Sequence, residues 1–126
     1  MPATRTPKLA PYLAVRNAAG LIRFIEQGIG GTLSDEQREP SGRLAHVEMR
    51  IADSVVMLAE VPPGRSPFAA MLHLYVPDAD AAYARALAAG ARPVVPPADA
   101  ADGDRRGGVV DAWGNEWWFT RPPAGA

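Results

Sequence analysis

The sequence predicts an α+β protein of two successive βαβββ units whose helices lie against one sheet face. Three observations carry this. Sliding the 126-residue chain by 61 positions puts Leu13 on Leu74, Val15 on Val76 and Asn17 on Asp78, and lays Ile51 to Glu60 over Ala112 to Arg121. Each half repeats one order: apolar strand, Asn or Asp helix cap, amphipathic helix, polar stretch, tight turn and strand. Between Leu44 and Val61, apolar and polar residues alternate around Ala52-Asp53, the pattern of a hairpin. Two copies of so long a period mark a duplicated domain half, whereas a solenoid needs more copies.

The elements follow in order. Leu9 to Val15 reads as a strand with Leu13 and Val15 on one face and Tyr12 and Ala14 on the other, and Pro11 suits its start. Asn17 caps a helix in which Leu21, Ile22, Phe24, Ile25 and Ile29 recur at helical spacing; Gly28, Gly30 and Gly31 end it. Thr32 to Glu39 is a short polar strand, and Pro40-Ser41-Gly42 a turn. With Ala52-Asp53 as the hairpin turn, Arg50 partners Val55, Glu48 partners Met57 and His46 partners Ala59. Val47, Met49, Ile51, Val56 and Leu58 then form a core face.

Pro62 to Pro67 links the halves. In the second, Leu72, Leu74 and Val76 face the core, and Asp78 caps a helix with Ala79, Ala82, Tyr83, Ala86 and Leu87 inward, closed by Gly90. Arg92 to Val95 is a short strand, and Pro96 to Gly108 reads as a long polar loop or irregular strand. Ala112 to Asn115 is a turn, and in the last strand Trp117 and Phe119 take the core side. Residues 1–126 thus form one domain of two repeats, 9–61 and 68–121. At 48% hydrophobic content the chain can build a core, but each half alone is too small to bury much surface.

The sheet face opposite the helices is the candidate site. The first unit puts Tyr12, His46, Glu48, Arg50 and Met57 there. The second contributes Met71, His73, Tyr75, Glu116 and Trp118, with Trp113 in a turn at the cleft mouth. The tyrosines, Trp118 and the methionines offer large polarisable contact area at small entropic cost. Trp118 suits a ligand platform or a dimer interface. Arg50, with Arg105 and Arg106 of the long loop, can meet carboxylate or phenolate oxygens.

Composition removes several functions. A net charge of −1 with no basic run argues against nucleic-acid binding, and the absence of cysteine excludes disulfides, thiolate catalysis and zinc–thiolate sites. No stretch approaches the length of a membrane span, so the expectation is a cytoplasmic protein without membrane contact. Gly103 to Gly108 lacks the order of a phosphate loop.

Leu74-Tyr75-Val76-Pro77-Asp78-Ala79-Asp80 before a helix ending in Ala-Ala-Gly-Ala, and Val110-Asp111-Ala112-Trp113-Gly114-Asn115-Glu116-Trp117, resemble the vicinal oxygen chelate superfamily. That superfamily includes glyoxalase, bleomycin-resistance and extradiol dioxygenase proteins, and the resemblance covers about residues 9–121. Ala112 stands where members usually carry proline. The resemblance implies a cupped mixed sheet, a homodimer and, in metal-using members, ligands from the first and last strand of each unit. Those positions fall on Ala10, Met57, Met71 and Trp118, none of which suits a divalent cation.

The expectation is therefore a metal-free, cofactor-free cup without catalytic residues. It would sequester an antibiotic or other aromatic or amphipathic metabolite, and the near-neutral charge argues against cationic bleomycin itself. The alternative is a glyoxalase-like lyase, isomerase or dioxygenase. It would use a displaced metal on His46, Glu48, His73 and Glu116, or His73 as a general base tuned by Glu48 or Glu116.

Overall fold

A computed structural model describes residues 8–124. Each half folds as strand, helix and three strands. The first unit comprises β1 (Tyr12–Val15), α1 (Ala18–Phe24), β2 (Thr32–Arg38), β3 (Leu44–Ile51) and β4 (Ser54–Glu60). The second comprises β5 (Met71–Tyr75), α2 (Ala79–Ala88), β6 (Arg92–Asp99), β7 (Arg105–Val110) and β8 (Glu116–Arg121). Two four-stranded mixed sheets result, ordered β1-β4-β3-β2 and β5-β8-β7-β6. In each, the outer first strand runs parallel to the last, because the helix carries the chain back across the sheet. No helix among the described residues is long and apolar enough to cross a membrane.

Both helices begin at the expected caps. Asn17 Oδ1 accepts from Gly20 N, and Asp78 Oδ1 accepts from Ala81 N. The Glu60 carboxylate adds to the first cap, accepting from the backbone N–H groups of Asn17 and Ala18 at 3.0 and 2.8 Å. This places negative charge against the positive end of α1. Beyond Phe24 the helix widens into a π-turn, Ile25–Ile29, and ends at Gly30 with φ 90°. Gly28 does not end the helix. It sits inside that turn because a Cβ there would lie 2.9 Å from Ala89 Cβ, at the end of α2.

One continuous core joins the units. Leu13, Leu21, Ile25, Val47, Met49 and Leu58 from the first half pack in one cluster with Val109, Trp117 and Phe119 from the second. Phe24 reaches between the halves, its ring 6.3 Å from Trp117 and 6.5 Å from Trp113. Arg85 of α2 donates to the Gln27 carbonyl, satisfying an acceptor at the end of the first helix.

The hairpin forms with the expected register, Arg50 facing Val55 and Glu48 facing Met57. Of the two forms expected for Pro96 to Gly108, a long loop or an irregular strand, the structure has the second: β6 continues irregularly to Asp99, a turn crosses residues 100–104, and β7 begins at Arg105, closing a second hairpin. Three prolines fit because β6 is an outer strand, with no partner on its far side among the described residues. Arg105 and Arg106 are consequently strand residues with partners of their own. Arg105 bonds Asp80 of α2 and Asp99, and holds the Asp80 carboxyl below its usual pKa. Arg106 bonds Asp102 and Asp104 of the turn.

The turn Asp111–Asn115 is organised by one buried carboxylate. Asp111, 1% exposed, accepts from Trp113 N, Asn115 N, Asn115 Nδ2 and Trp117 Nε1 at 2.9 to 3.1 Å. Asn115 Oδ1 accepts in turn from Ala70 N, at the entrance to β5. Removing the carboxylate orphans several buried donors, each costing about 1–3 kcal/mol. Asp111→Ala should therefore lower unfolding stability by about 3 kcal/mol or more, read as a fall in the urea midpoint at unchanged m-value.

Candidate functional site

Cross-strand pairing builds the open faces row by row. In the first unit a row runs Asp35, Glu48, Met57, Tyr12; in the second the equivalent row is Val95, Gly108, Trp118, His73. The 61-residue repeat holds for the parallel pairs, since Tyr12 faces Met57 and His73 faces Trp118. It slips by one in the third strand. Val47 faces Leu58, but Phe119, the counterpart of Leu58, faces Gly107, which is 60 residues beyond Val47. The cause is turn length: Arg50 and Val55 flank four residues, whereas their counterparts Val110 and Glu116 flank five. The counterparts of His46 and Glu48 are therefore Arg106 and Gly108.

Gly108 shapes the second face. A Cβ built on it would lie 2.7, 2.8 and 2.9 Å from Trp118 Cδ2, Cε2 and Cε3. Three such similar distances mean that the indole lies flat over the Gly108 backbone, leaving its other π-face turned outward. Glu116 Oε1 accepts from Trp118 Nε1 at 2.9 Å and fixes the ring's direction. Beside it, the rings of His73 and Tyr75 are 5.0 Å apart, and His73 Nε2 is hydrogen-bonded to the fully buried Thr120 hydroxyl. Met71 and Tyr75 are 69% and 68% exposed.

The first face is more polar. Tyr12 Oη lies 3.3 Å from His46 Nδ1, and His46 Nε2 lies 3.2 Å from Glu48 Oε2. Asp35 joins them, so that one ligand atom from each of Asp35, His46 and Glu48 lies within 4.8 Å of the others. Arg50 stands exposed one row away, opposite Val55.

Of the four residues expected to share a displaced metal, His46 and Glu48 are in contact, while His73 bonds Thr120 and Glu116 bonds Trp118. Trp113 does not overhang the open face. Its ring packs against Phe24, a Cβ on Gly20 would lie 2.9 Å from its Cζ2, and its Nε1 donates to the Arg16 carbonyl at 2.7 Å. It pegs the second unit's turn to the first unit's helix. Asp35 and Gly108 join the site without having been anticipated, Asp35 hidden by a strand irregularity and Gly108 by the one-residue slip. Thr120, which alternation puts on the same face as Glu116 and Trp118, joins through its bond to His73.

The chain belongs to the glyoxalase/bleomycin resistance protein/dioxygenase superfamily, whose model matches residues 8–119. Among its relatives, an uncharacterized protein of Mycobacterium bovis is 35% identical over 127 residues, an alignment covering 92% of this chain and 84% of that one. A Mycobacterium tuberculosis relative has the same identity, over 92% of this chain and 75% of its own. In fold the chain is similar to the crystal structure of TioX from Micromonospora sp. ML1, with TM-score 0.78, 24% identity and coverage of 92% of this chain and 98% of that one. It is also similar to a glyoxalase-related enzyme from Fulvimarina pelagi, with TM-score 0.65, 18% identity and coverage of 92% and 88%.

Gly108→Ala tests the indole's seat. The added methyl must displace the ring, costing about 1–3 kcal/mol of stability and altering the near-UV circular dichroism contributed by Trp118. Introducing the same change into Trp118→Leu should cost much less, because the clashing ring is gone.

Proposed function

We propose that this protein is a metal-independent binder that sequesters a small aromatic or amphipathic molecule, an antibiotic or other planar metabolite, as a resistance-type member of its superfamily. The observation behind this reading is the Trp118 indole, laid flat on Gly108 with one π-face turned outward beside His73 and Tyr75. A planar ligand stacking there gains aromatic contact worth about 0.5–1.5 kcal/mol per ring pair beyond its buried area. Met71 adds a flexible apolar side chain that adapts to ligand shape. The polar groups nearby support holding over turnover: His73 and Glu116 each have a partner within the sheet, Thr120 and Trp118. The proposal includes a homodimer, in which a second copy would wall the open faces.

A second reading, a glyoxalase-like lyase, isomerase or dioxygenase with a displaced metal, is favoured by the His46–Glu48 contact alone. The two readings separate experimentally. Titration with anilinonaphthalene sulfonate and a panel of neutral polycyclic aromatics should give saturable quenching of tryptophan fluorescence, insensitive to EDTA. In Trp118→Ala, monitored by ligand fluorescence, affinity should fall about tenfold, corresponding to about 1.4 kcal/mol. Unchanged affinity in that variant removes the site from this face, and chemical conversion of a bound compound overturns the sequestering reading.

A further inference from the structure

Independently of the aromatic face, we propose that Asp35, His46 and Glu48 form a binding site for one first-row divalent cation, such as Zn²⁺ or Co²⁺, on the open face of the first sheet. The donors are already near coordinating positions. Bonds of about 2.0–2.2 Å to a common ion place neighbouring ligand atoms roughly 3–4 Å apart. His46 Nε2 and Glu48 Oε2 are separated by 3.2 Å, and the Asp35 donor completes a set lying within 4.8 Å. Small rotations of the two carboxylates close the remaining gap.

An irregularity in β2 supplies the third donor. Leu33 faces Met49, and continued regular pairing would put Ser34 opposite Glu48 and turn Asp35 toward the helices. A register shift between Leu33 and Asp35 brings Asp35 opposite Glu48 instead. The Ser34 hydroxyl is left to donate to the Glu48 backbone carbonyl. Gln37 donates to Asp35 Oδ2 at 3.2 Å, which orients that carboxylate and leaves Oδ1 for the ion.

Tyr12 acts as the positioning residue. With no ion between the side chains, a proton on His46 Nε2 bridges to Glu48 and the Tyr12 hydroxyl donates to Nδ1. With an ion bound, the proton sits on Nδ1 and Tyr12 Oη accepts it. The Nε2 lone pair then points to the metal, the arrangement that outer partners of a ligating histidine commonly enforce. The charges also fit. Glu36, Glu39, Asp80 and Asp99 each pair with an arginine, whereas neither Asp35 nor Glu48 has a lysine or arginine partner among the described residues. Two carboxylates and a neutral imidazole balance a dication, and the imidazole disfavours Mg²⁺ and Ca²⁺.

This site is not the superfamily's usual one, whose positions here are Ala10, Met57, Met71 and Trp118. It also lacks a twin, because the equivalent residues of the second unit are Val95, Arg106 and Gly108. One ion per chain, not two, is the consequence.

Calorimetric titration of the tag-free protein with Zn²⁺ and Co²⁺ tests it, with Co²⁺ also followed by its visible absorption. The expected result is one saturable site per chain, with affinity reduced more than about tenfold in Glu48→Gln and His46→Gln. Asp35→Asn should weaken it less, and Tyr12→Phe should weaken it while keeping the absorption bands. Paramagnetic Co²⁺ should broaden the His46 ring resonances and spare those of His73. Glu48→Gln preserves shape, so its thermal midpoint without metal serves as the folding control; should it not fold, the broadening pattern in the unaltered protein decides. The proposal is overturned by no saturable uptake, by uptake indifferent to all four substitutions, or by broadening centred on His73. Loss of aromatic binding in Trp118→Ala leaves these expectations untouched.

Discussion

The structure hangs on the Asp111 carboxylate. It is buried in the turn before the last strand and accepts hydrogen bonds from two backbone N–H groups, an amide side chain and the indole of Trp117. Those bonds fix three things together. Trp117 is set into the shared core, Asn115 is oriented to hold the entrance of β5, and Trp113 is aimed across to the first unit, where it reaches the Arg16 carbonyl. A neutral or apolar residue at Asp111 would leave buried donors unmatched in a low-dielectric setting, where each costs most. Through this one turn the second half keeps its register and its grip on the first.

Much of the fold was legible because local chemistry and global packing agree. Asn17 and Asp78 cap where their side chains can reach the third following amide, and the Leu44–Val61 alternation has one buried and one open face in either reading. Pro96 and Pro97 obscured how far β6 runs beyond Val95, because Pro reads as a breaker unless the strand is known to lie at a sheet edge. Edge position is a tertiary fact that no local pattern records.

The candidate site was legible by parity and illegible by proximity. Alternation correctly put His46, Glu48, Met57, His73, Tyr75 and Trp118 on the faces away from the helices, but nothing in spacing says which of them touch. His46 meets Glu48 while His73 turns to Thr120. Asp35 lay beyond reach of alternation because the shift in β2 reverses its face. Gly108 escaped because the five-residue turn moves β7 one place off the repeat. The duplicated halves have diverged at the row where they are most alike in geometry. One carries a carboxylate and a methionine between Asp35 and Tyr12, and the other a glycine and a flat indole between Val95 and His73.

The prolines of β6 also limit how copies of this chain can associate. A sheet edge with free N–H and C=O groups invites another strand to add to it, which is the route to continuous sheets between molecules and to aggregation. Pro93, Pro96 and Pro97 leave the outer strand of the second sheet without three of its N–H donors, and β2, the outer strand of the first, is dense in charge from Asp35 to Arg38. Both far edges are thereby poor templates for strand addition.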